Sequence, residues 1–370
     1  MPINDPHAPP GARKPRMKIL CNGQPVGGAL SFEVTNNSFY QADTFSATFS
    51  INADPNFGPQ WWGSQKPPLL LDIQASLDGG NTWQSLLVGQ VDHMALHMDA
   101  GMISVDGRDL TSYFIDTKTQ ETYANKTSSQ IVEILAEKHG LTADVTPTTT
   151  VVGRYYGDDH ERMTLNEFSR TTTEWNLMCS LAQHEQFDIW VEGTTVHFHP
   201  TTPPDSNPWE LVWMPDGWVG NQPWMNGVKL TMERSMVMAK DVVVVVRSWN
   251  SLQEQGFTKW SPSSARINSV ASGKDQQFSF VIPNLTAAAA QETANKLREQ
   301  ITQQERLVTI EAPADLIVGA RNMLQITGTG SSWDQTYYVD WVRRSMSFEG
   351  GFPMTIHAKN HSPQTSVVTS

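Results

Sequence analysis

At 370 residues the chain exceeds one ordinary hydrophobic core, which predicts two or three domains. With 39% hydrophobic and 17% charged residues, 25 Gly and 22 Pro, it is neither a disordered polymer nor a coiled coil. A net charge of −12 removes the electrostatic basis for gripping nucleic acid, because phosphate binding is driven by Lys and Arg releasing counterions.

The first sixteen residues lack an apolar run, so no secretory signal is expected there. The longest β-branched run, residues 242–246, is far too short to span a bilayer. Cys21 and Cys179 make no disulfide framework and no CxxC pair, and reduced core thiols of a cytoplasmically folded protein are expected. Arg13, Lys14, Arg16 and Lys18 form one basic cluster in a Pro/Gly-rich stretch, read as a solvated tail over 1–16.

From residue 17 the pattern is that of strands. Residues 17–21 precede an Asn22–Gly23 turn, and Leu30, Phe32 and Val34 then alternate with polar residues. Phe45, Ala47, Phe49 and Ile51 repeat the period of two that marks a half-buried strand. Residues 54–68, rich in Pro, Gly, Asn and Trp, read as a long loop. Residues 69–77 and 83–98 predict strands joined by a turn at 78–81, and 102–106 another. Strands at this spacing argue for an antiparallel barrel or sandwich.

After Asp109 the periodicity becomes helical. Thr127 or Ser128 caps a helix carrying Ile131, Ile134 and Leu135, with Gly140 at its end. Thr164 and Glu167 form a capping box, and Thr173 opens a helical stretch with Trp175, Met178, Leu181 and Ala182. A hairpin over 187–191 and 195–199 follows, turning at Glu192–Gly193. Residues 203–208 read as a linker.

The last block returns to strands. Residues 241–249 form a continuous apolar strand, 250–274 a polar loop and 278–282 a strand. Thr286 caps a helix bearing Ala290, Ala294, Leu297 and Ile301 on one face. Strands over 307–311, 323–327, 337–348 and 354–358 complete it, and the chain from His361 has no packing pattern.

Chemistry is scarce. No GxSxG, P-loop, HExxH, CxxC or GxGxxG is present. His197 and His199, two apart on a strand, point the same way, but zinc takes three or four ligands and no third lies nearby in sequence, so no metal is assigned. The acidic run 157–161 lacks the twelve-residue calcium-loop pattern and reads as a solvated turn. Trp209, Trp213, Trp218 and Trp224 offer either a sugar-stacking platform or core and interface, the latter favoured by irregular spacing with Pro and Gly between. No catalytic residue or cofactor is assigned.

Two segments carry a family likeness. Val105-Asp-Gly-Arg-Asp-Leu-Thr-Ser-Tyr-Phe-Ile-Asp116, followed by Ser129-Gln-Ile-Val-Glu-Ile-Leu-Ala-Glu-Lys-His-Gly-Leu141, resembles the "GRDLT" exit from a first barrel and the helix ending "HGL" of phage baseplate-hub (late-control D) proteins. That family is itself similar to the N-terminal half of type VI secretion spike proteins. Glu174-Trp-Asn-Leu-Met through Gly193, running on to Val196-His-Phe-His-Pro200, resembles its helix, small hairpin and exit strand. A weaker match spans 287–301, 337–342 and 348–355; Ile317-Val-Gly-Ala-Arg321 departs from the usual Pro-Gly before the penultimate strand.

The resemblance implies a mainly β fold: two tail-tube-like antiparallel β-barrel domains (17–109 and 206–360, the second with one helix and possible strand exchange), an inserted α+β domain (110–205) and a loose C-terminal tail (361–370). It implies a non-enzymatic structural protein of the virion tail, assembled in the host cytoplasm. Three copies, each with two barrels, would form a pseudo-sixfold ring adapting a sixfold tube to a threefold spike and passing DNA through an acidic lumen. Expected partners are a homotrimer, the tail tube or distal tail protein, the central spike and the tape-measure protein, with no specific nucleic-acid binding and no membrane span. The alternatives are a tail-associated wall or polysaccharide hydrolase, for which a further lytic domain of ~100 residues is expected, and a carbohydrate-binding tail protein.

Overall fold

The computed structural model describes residues 13–360 apart from 39, 120, 122, 150, 153–171, 186, 202–207, 218–221, 236–240, 251–253, 263–274, 284 and 303–305. The expected capping box at Thr164, the acidic run 157–161, Trp218, most of the 203–208 linker and the C-terminal tail lie outside the described residues.

The first block holds β1 (Arg16–Cys21), β2 (Gln24–Pro25), β3 (Ala29–Asn37), β4 (Thr44–Ser50), a short helix α1 (Pro59–Gly63), β5 (Leu70–Ser76), β6 (Gln84–His97) and β7 (Met102–Asp109). The predicted alternation is realised in β4, where Phe45, Ala47 and Phe49 are buried and their neighbours are not. The strands run in the order β3-β4-β7-β6-β5-β1, all antiparallel, and the sheet curls until β1 contacts β3. The expected loop over 54–68 contains α1, because Trp62 buries against Phe49 with ring centroids 4.9 Å apart. Burial of a side chain of that size contributes roughly 2–3 kcal/mol toward ordering this Pro/Gly-rich segment. The basic tail is not wholly loose: Arg13 donates to the carbonyls of Pro313 and Ala314, and the Lys18 ammonium sits 4.5 Å from the Trp83 ring.

The middle block comprises α2 (Thr111–Asp116), β8 (Lys118–Thr119), α3 (Ser128–Lys138), β9 (Thr142–Val145), β10 (Thr172–Thr173), α4 (Glu174–Glu185), β11 (Phe187–Glu192) and β12 (Thr195–Pro200). Thr127 caps α3, with Gln130 completing a capping box. The three-stranded sheet β11-β12-β9 and the helices share one core that includes Phe114, Leu135, Met178 and Phe198. β9 is absent from the sequence reading. Four residues with two modest apolar side chains give no periodic signal, and the parallel partner β12 lies some fifty residues away.

The last block contains β13 (Trp209–Met214), β14 (Trp224–Met225), β15 (Lys229–Arg234), β16 (Asp241–Asn250), β17 (Gln255–Ser261), β18 (Asp275–Val281), α5 (Ala287–Thr302), β19 (Arg306–Pro313), β20 (Met323–Thr327), β21 (Thr336–Ser347) and β22 (Pro353–Asn360). A second six-stranded sheet runs β13-β20-β21-β22-β19-β15. Asn226 closes it, donating to the Glu210 carbonyl and accepting from the Val212 amide while Val228 bonds β19 at Glu311. Within this six-stranded sheet one ladder departs from the antiparallel expectation, since β13 and β20 run parallel. More than a hundred residues separate them, so no hairpin imposes direction.

Inserted in this block is a small layer of its own. β17-β16-β18 form a separate sheet, and α5 packs on it through Ala290 and Ala294 against Val242, Val244 and Val246. The helix expected on the second barrel therefore covers this sheet. The expected polar loop over 250–274 contributes β17, recruited by the apolar β16 although its own sequence shows little alternation.

The two barrels share a seam: β21 pairs with β20 and β22 in its own barrel and with β3 of the first, from Trp341↔Asn37 to Ser347↔Ser31. The result is one 14-stranded sheet and one continuous apolar cluster through both barrels. No helix among the described residues is long and apolar enough to cross a membrane.

Candidate functional site

The residues singled out by their family pattern meet where the three blocks join. At Gly107 a Cβ would lie 2.0 Å from the Gln90 carbonyl oxygen, at the bulge between β6 and β7, so only glycine lets the strands approach this closely. Arg108 clamps Asp92 (2.6 and 3.0 Å) and Asp116 (2.9 and 3.2 Å), tying β6, β7 and α2 together. Asp109 is buried and accepts from the Thr111 amide and hydroxyl, opening α2, while Leu110 enters the core of the middle block. The "GRDLT" segment is thus a joint between barrel and insertion.

The "HGL" end of α3 and the start of α4 are brought together by Glu174. This fully buried carboxylate accepts from Lys138 Nζ at 2.7 Å and pairs with His139 Nε2 at 2.5 Å; Lys138 also holds Glu121. The two carboxylates hold the Lys138 ammonium above its ordinary pKa. Gly140, at φ +71°, allows the helix to end and Leu141 to turn into the core.

Several contacts fasten the insertion and the second barrel to this joint. The Tyr40 hydroxyl donates to the Phe187 carbonyl at 3.0 Å, and Trp175 Nε1 donates to the Tyr40 carbonyl at 2.8 Å. The Arg321 guanidinium lies 4.4 Å from the Trp190 ring. The buried Arg344 on β21 donates to the carbonyls of Asp315 (2.8 Å) and Val318 and to Asn36 Oδ1 (3.1 Å) across the seam.

Between these contacts lies a cavity of about 500 Å³ lined by Asn36, Asp43, Asp109, Glu192, Arg321 and Arg344 among others. Burial raises the pKa of Asp43 and Asp109, and the Asp43 charge raises Asp109 further. Burial lowers Arg321, opposed by the surrounding carboxylates, and brings Arg344 down to about 10. A close acidic pair in a cavity invites comparison with a hydrolytic dyad. Here, however, Asp43 accepts from Asn36 and the Asn37 amide, and both oxygens of Asp109 are occupied by Thr111. These carboxylates organise turns.

The other candidates separate. Trp209 is core and its indole donates to Asp315, whereas Trp213 and Trp224 are half-buried on the paired strands β13 and β14, so the expected cluster is distributed through sheet structure. Cys21 and Cys179 are unpaired thiols, pushed up by burial to about 11 and about 12, which makes them poor nucleophiles. His197 and His199 do share one face of β12, and the structure adds what spacing could not supply: Asp144, opposite His197 on β9, contacts both rings.

Two six-stranded barrels fused by a shared seam, with an α+β domain inserted between them, define the fold. No protein-family model and no curated protein matches the sequence. Among solved structures, the tail protein from Neisseria meningitidis MC58 aligns with a TM-score of 0.68 at 14% identity, over 94% of this chain and 96% of that one. The 43 kDa tail protein of prophage MuSo2 from Shewanella oneidensis gives 0.64 at 12%, over 93% and 96%. An E. coli type VI secretion component, described as similar to T4 tail proteins gp27 and gp5, gives 0.54 at 10%, over 94% and 77%. At such identities the likeness is one of fold.

Proposed function

We propose that the chain is a structural hub of a phage tail baseplate, or of a related injection machine, acting by assembly and not by catalysis. Three copies close into a ring whose six barrels meet a sixfold tube on one side and a threefold spike on the other. The observation carrying this reading is the pair of six-stranded barrels in one polypeptide, joined in register at β3 and β21. A seam of that kind fixes the angle between barrels within a chain, which a pseudo-sixfold ring requires, and closure of the ring removes exposed sheet edges. The net charge of −12 suits a passage that DNA traverses without sticking. The partners are the tail tube or distal tail protein, the spike and the tape-measure protein, and the protein resides in the virion tail.

Sedimentation and electron microscopy of the purified chain, alone and mixed with its neighbouring spike, test this. Rings of three copies with six peripheral densities are expected. A particle that stays monomeric in both conditions overturns the proposal, and clearing of cell walls in a zymogram overturns its non-enzymatic part.

A further inference from the structure

One face of the β11-β12-β9 sheet carries a constellation that the assembly role does not use. β9 pairs in parallel with β12 so that Asp144 stands directly opposite His197, and His199 follows two residues on along the same face. Asp144 Oδ2 lies 3.0 Å from His197 Nδ1 and 3.1 Å from His199 Nε2. Two imidazole nitrogens thus converge on one carboxylate oxygen, and the three ligand atoms all lie within 4.8 Å of one another. In a tetrahedral site with metal–ligand bonds of about 2.0–2.1 Å, ligand atoms are separated by roughly 3.3 Å, close to the two distances found.

The surroundings orient the rings as a metal site requires. His199 Nδ1 is 2.9 Å from Thr146 Oγ1, which can accept the Nδ1 proton and leave the Nε2 lone pair facing Asp144. The His197 ring stacks on Trp190 at 4.8 Å with 13° between the planes, which fixes its tilt and directs Nδ1 to the same point. The histidines are mostly covered, with 19% and 29% of their side chains exposed, while Asp144 is 57% exposed. An ion can enter and keep a coordination position open to solvent or to a partner's side chain.

We infer that Asp144, His197 and His199 form a binding site for a first-row divalent transition ion, zinc in the first instance. Two imidazoles and one carboxylate match the borderline donor set of such ions, whereas calcium and magnesium demand oxygen ligands throughout. Bound there, the ion replaces the imidazole–carboxylate hydrogen bonds, and any proton on His197 Nδ1 or His199 Nε2 moves to the ring's other nitrogen or to water. The ion takes the lone pairs of two neutral histidines and one carboxylate, and it staples β9 to the β11–β12 hairpin across a ladder of only four residue pairs.

The test uses the full chain, stripped with chelator and titrated calorimetrically with Zn²⁺ alone, with Co²⁺ as a spectroscopic stand-in. One equivalent is expected to bind with a low-micromolar or tighter dissociation constant, to give the visible bands of a low-symmetry Co²⁺ site, and to raise the melting temperature. His199→Ala and the near-isosteric Asp144→Asn should each weaken binding at least tenfold, and Thr146→Val should weaken it less. His93→Ala, at a surface His–Asp pair elsewhere, should leave it unchanged. Circular dichroism of each metal-free variant confirms the fold. Failure of the wild-type chain to bind saturably, or undiminished binding by both His199→Ala and Asp144→Asn, overturns the inference.

Discussion

Arg344 Nη1 donates to Asn36 Oδ1 at 3.1 Å across the seam between the two barrels, linking residues 308 positions apart in the chain. The same guanidinium satisfies the carbonyls of Asp315 and Val318, so one buried cation holds the loop between β19 and β20 against β3. Asn36 in turn donates to Asp43, extending the connection into the turn before β4.

Removing Arg344 is therefore expected to be costly. Arg344→Met leaves two carbonyls and the Asn36 amide oxygen without their donor and should lower stability by about 3 kcal/mol or more. Arg344→Lys should recover little, because an ammonium cannot reproduce the planar fork that meets three acceptors. Urea denaturation checks both, and a loss below about 1 kcal/mol for Arg344→Met would show the seam to be held elsewhere.

Asp109 has a folded pKa raised above its unfolded value by burial and by Asp43. The fold prefers its protonated form, so its contribution to stability is greatest below the ordinary carboxylate pKa and is lost as pH rises through the raised folded value. Asp109→Asn keeps an acceptor for Thr111 without the charge. Its melting temperature should gain on the wild type as pH rises from the ordinary carboxylate range toward the raised folded value, and parallel profiles would contradict the assignment.

Gly107 and Gly140 differ in why they are glycine, and alanine separates the reasons. Gly107→Ala drives a Cβ into the Gln90 carbonyl and should destabilise by about 3 kcal/mol, since backbone must shift. Gly140→Ala meets no neighbour and strains only a left-handed backbone, a loss of about 1 kcal/mol. Equal losses in thermal melts would refute the tight strand crossing.

Docking of the insertion rests partly on Arg321 and Trp190. A double-mutant cycle with Arg321→Ala and Trp190→Leu should return a coupling of about 1–2 kcal/mol, in the range of a partly desolvated cation–π contact. Tyr40→Phe, which loses the bond to the Phe187 carbonyl, should lose about 1 kcal/mol and speed proteolytic cleavage near the joint. A coupling near zero would mean that Arg321 serves only to offset the acidic cavity.

Much of this architecture is readable along the chain. Period-two alternation marks β3 and β4, capping at Thr127 and Thr286 marks the helices they begin, and Gly107-Arg108-Asp109-Leu110-Thr111 marks the passage from strands to insertion. These signals are local: a side chain's neighbours two, three or four positions away determine whether a segment presents one apolar face. What depends on distant partners is silent in sequence. The β3–β21 seam, the parallel ladder β13–β20, the strand β17 and the meeting of Asp144 with His197 and His199 arise only when segments tens to hundreds of residues apart are laid side by side. Local signals along the chain thus mark most of the strands and helices and the order of two β-rich blocks around a mixed one; the fusion of the blocks into one sheet and the convergence of polar groups come only with folding, because pairing and convergence are properties of contacts in space that no residue's immediate neighbours encode.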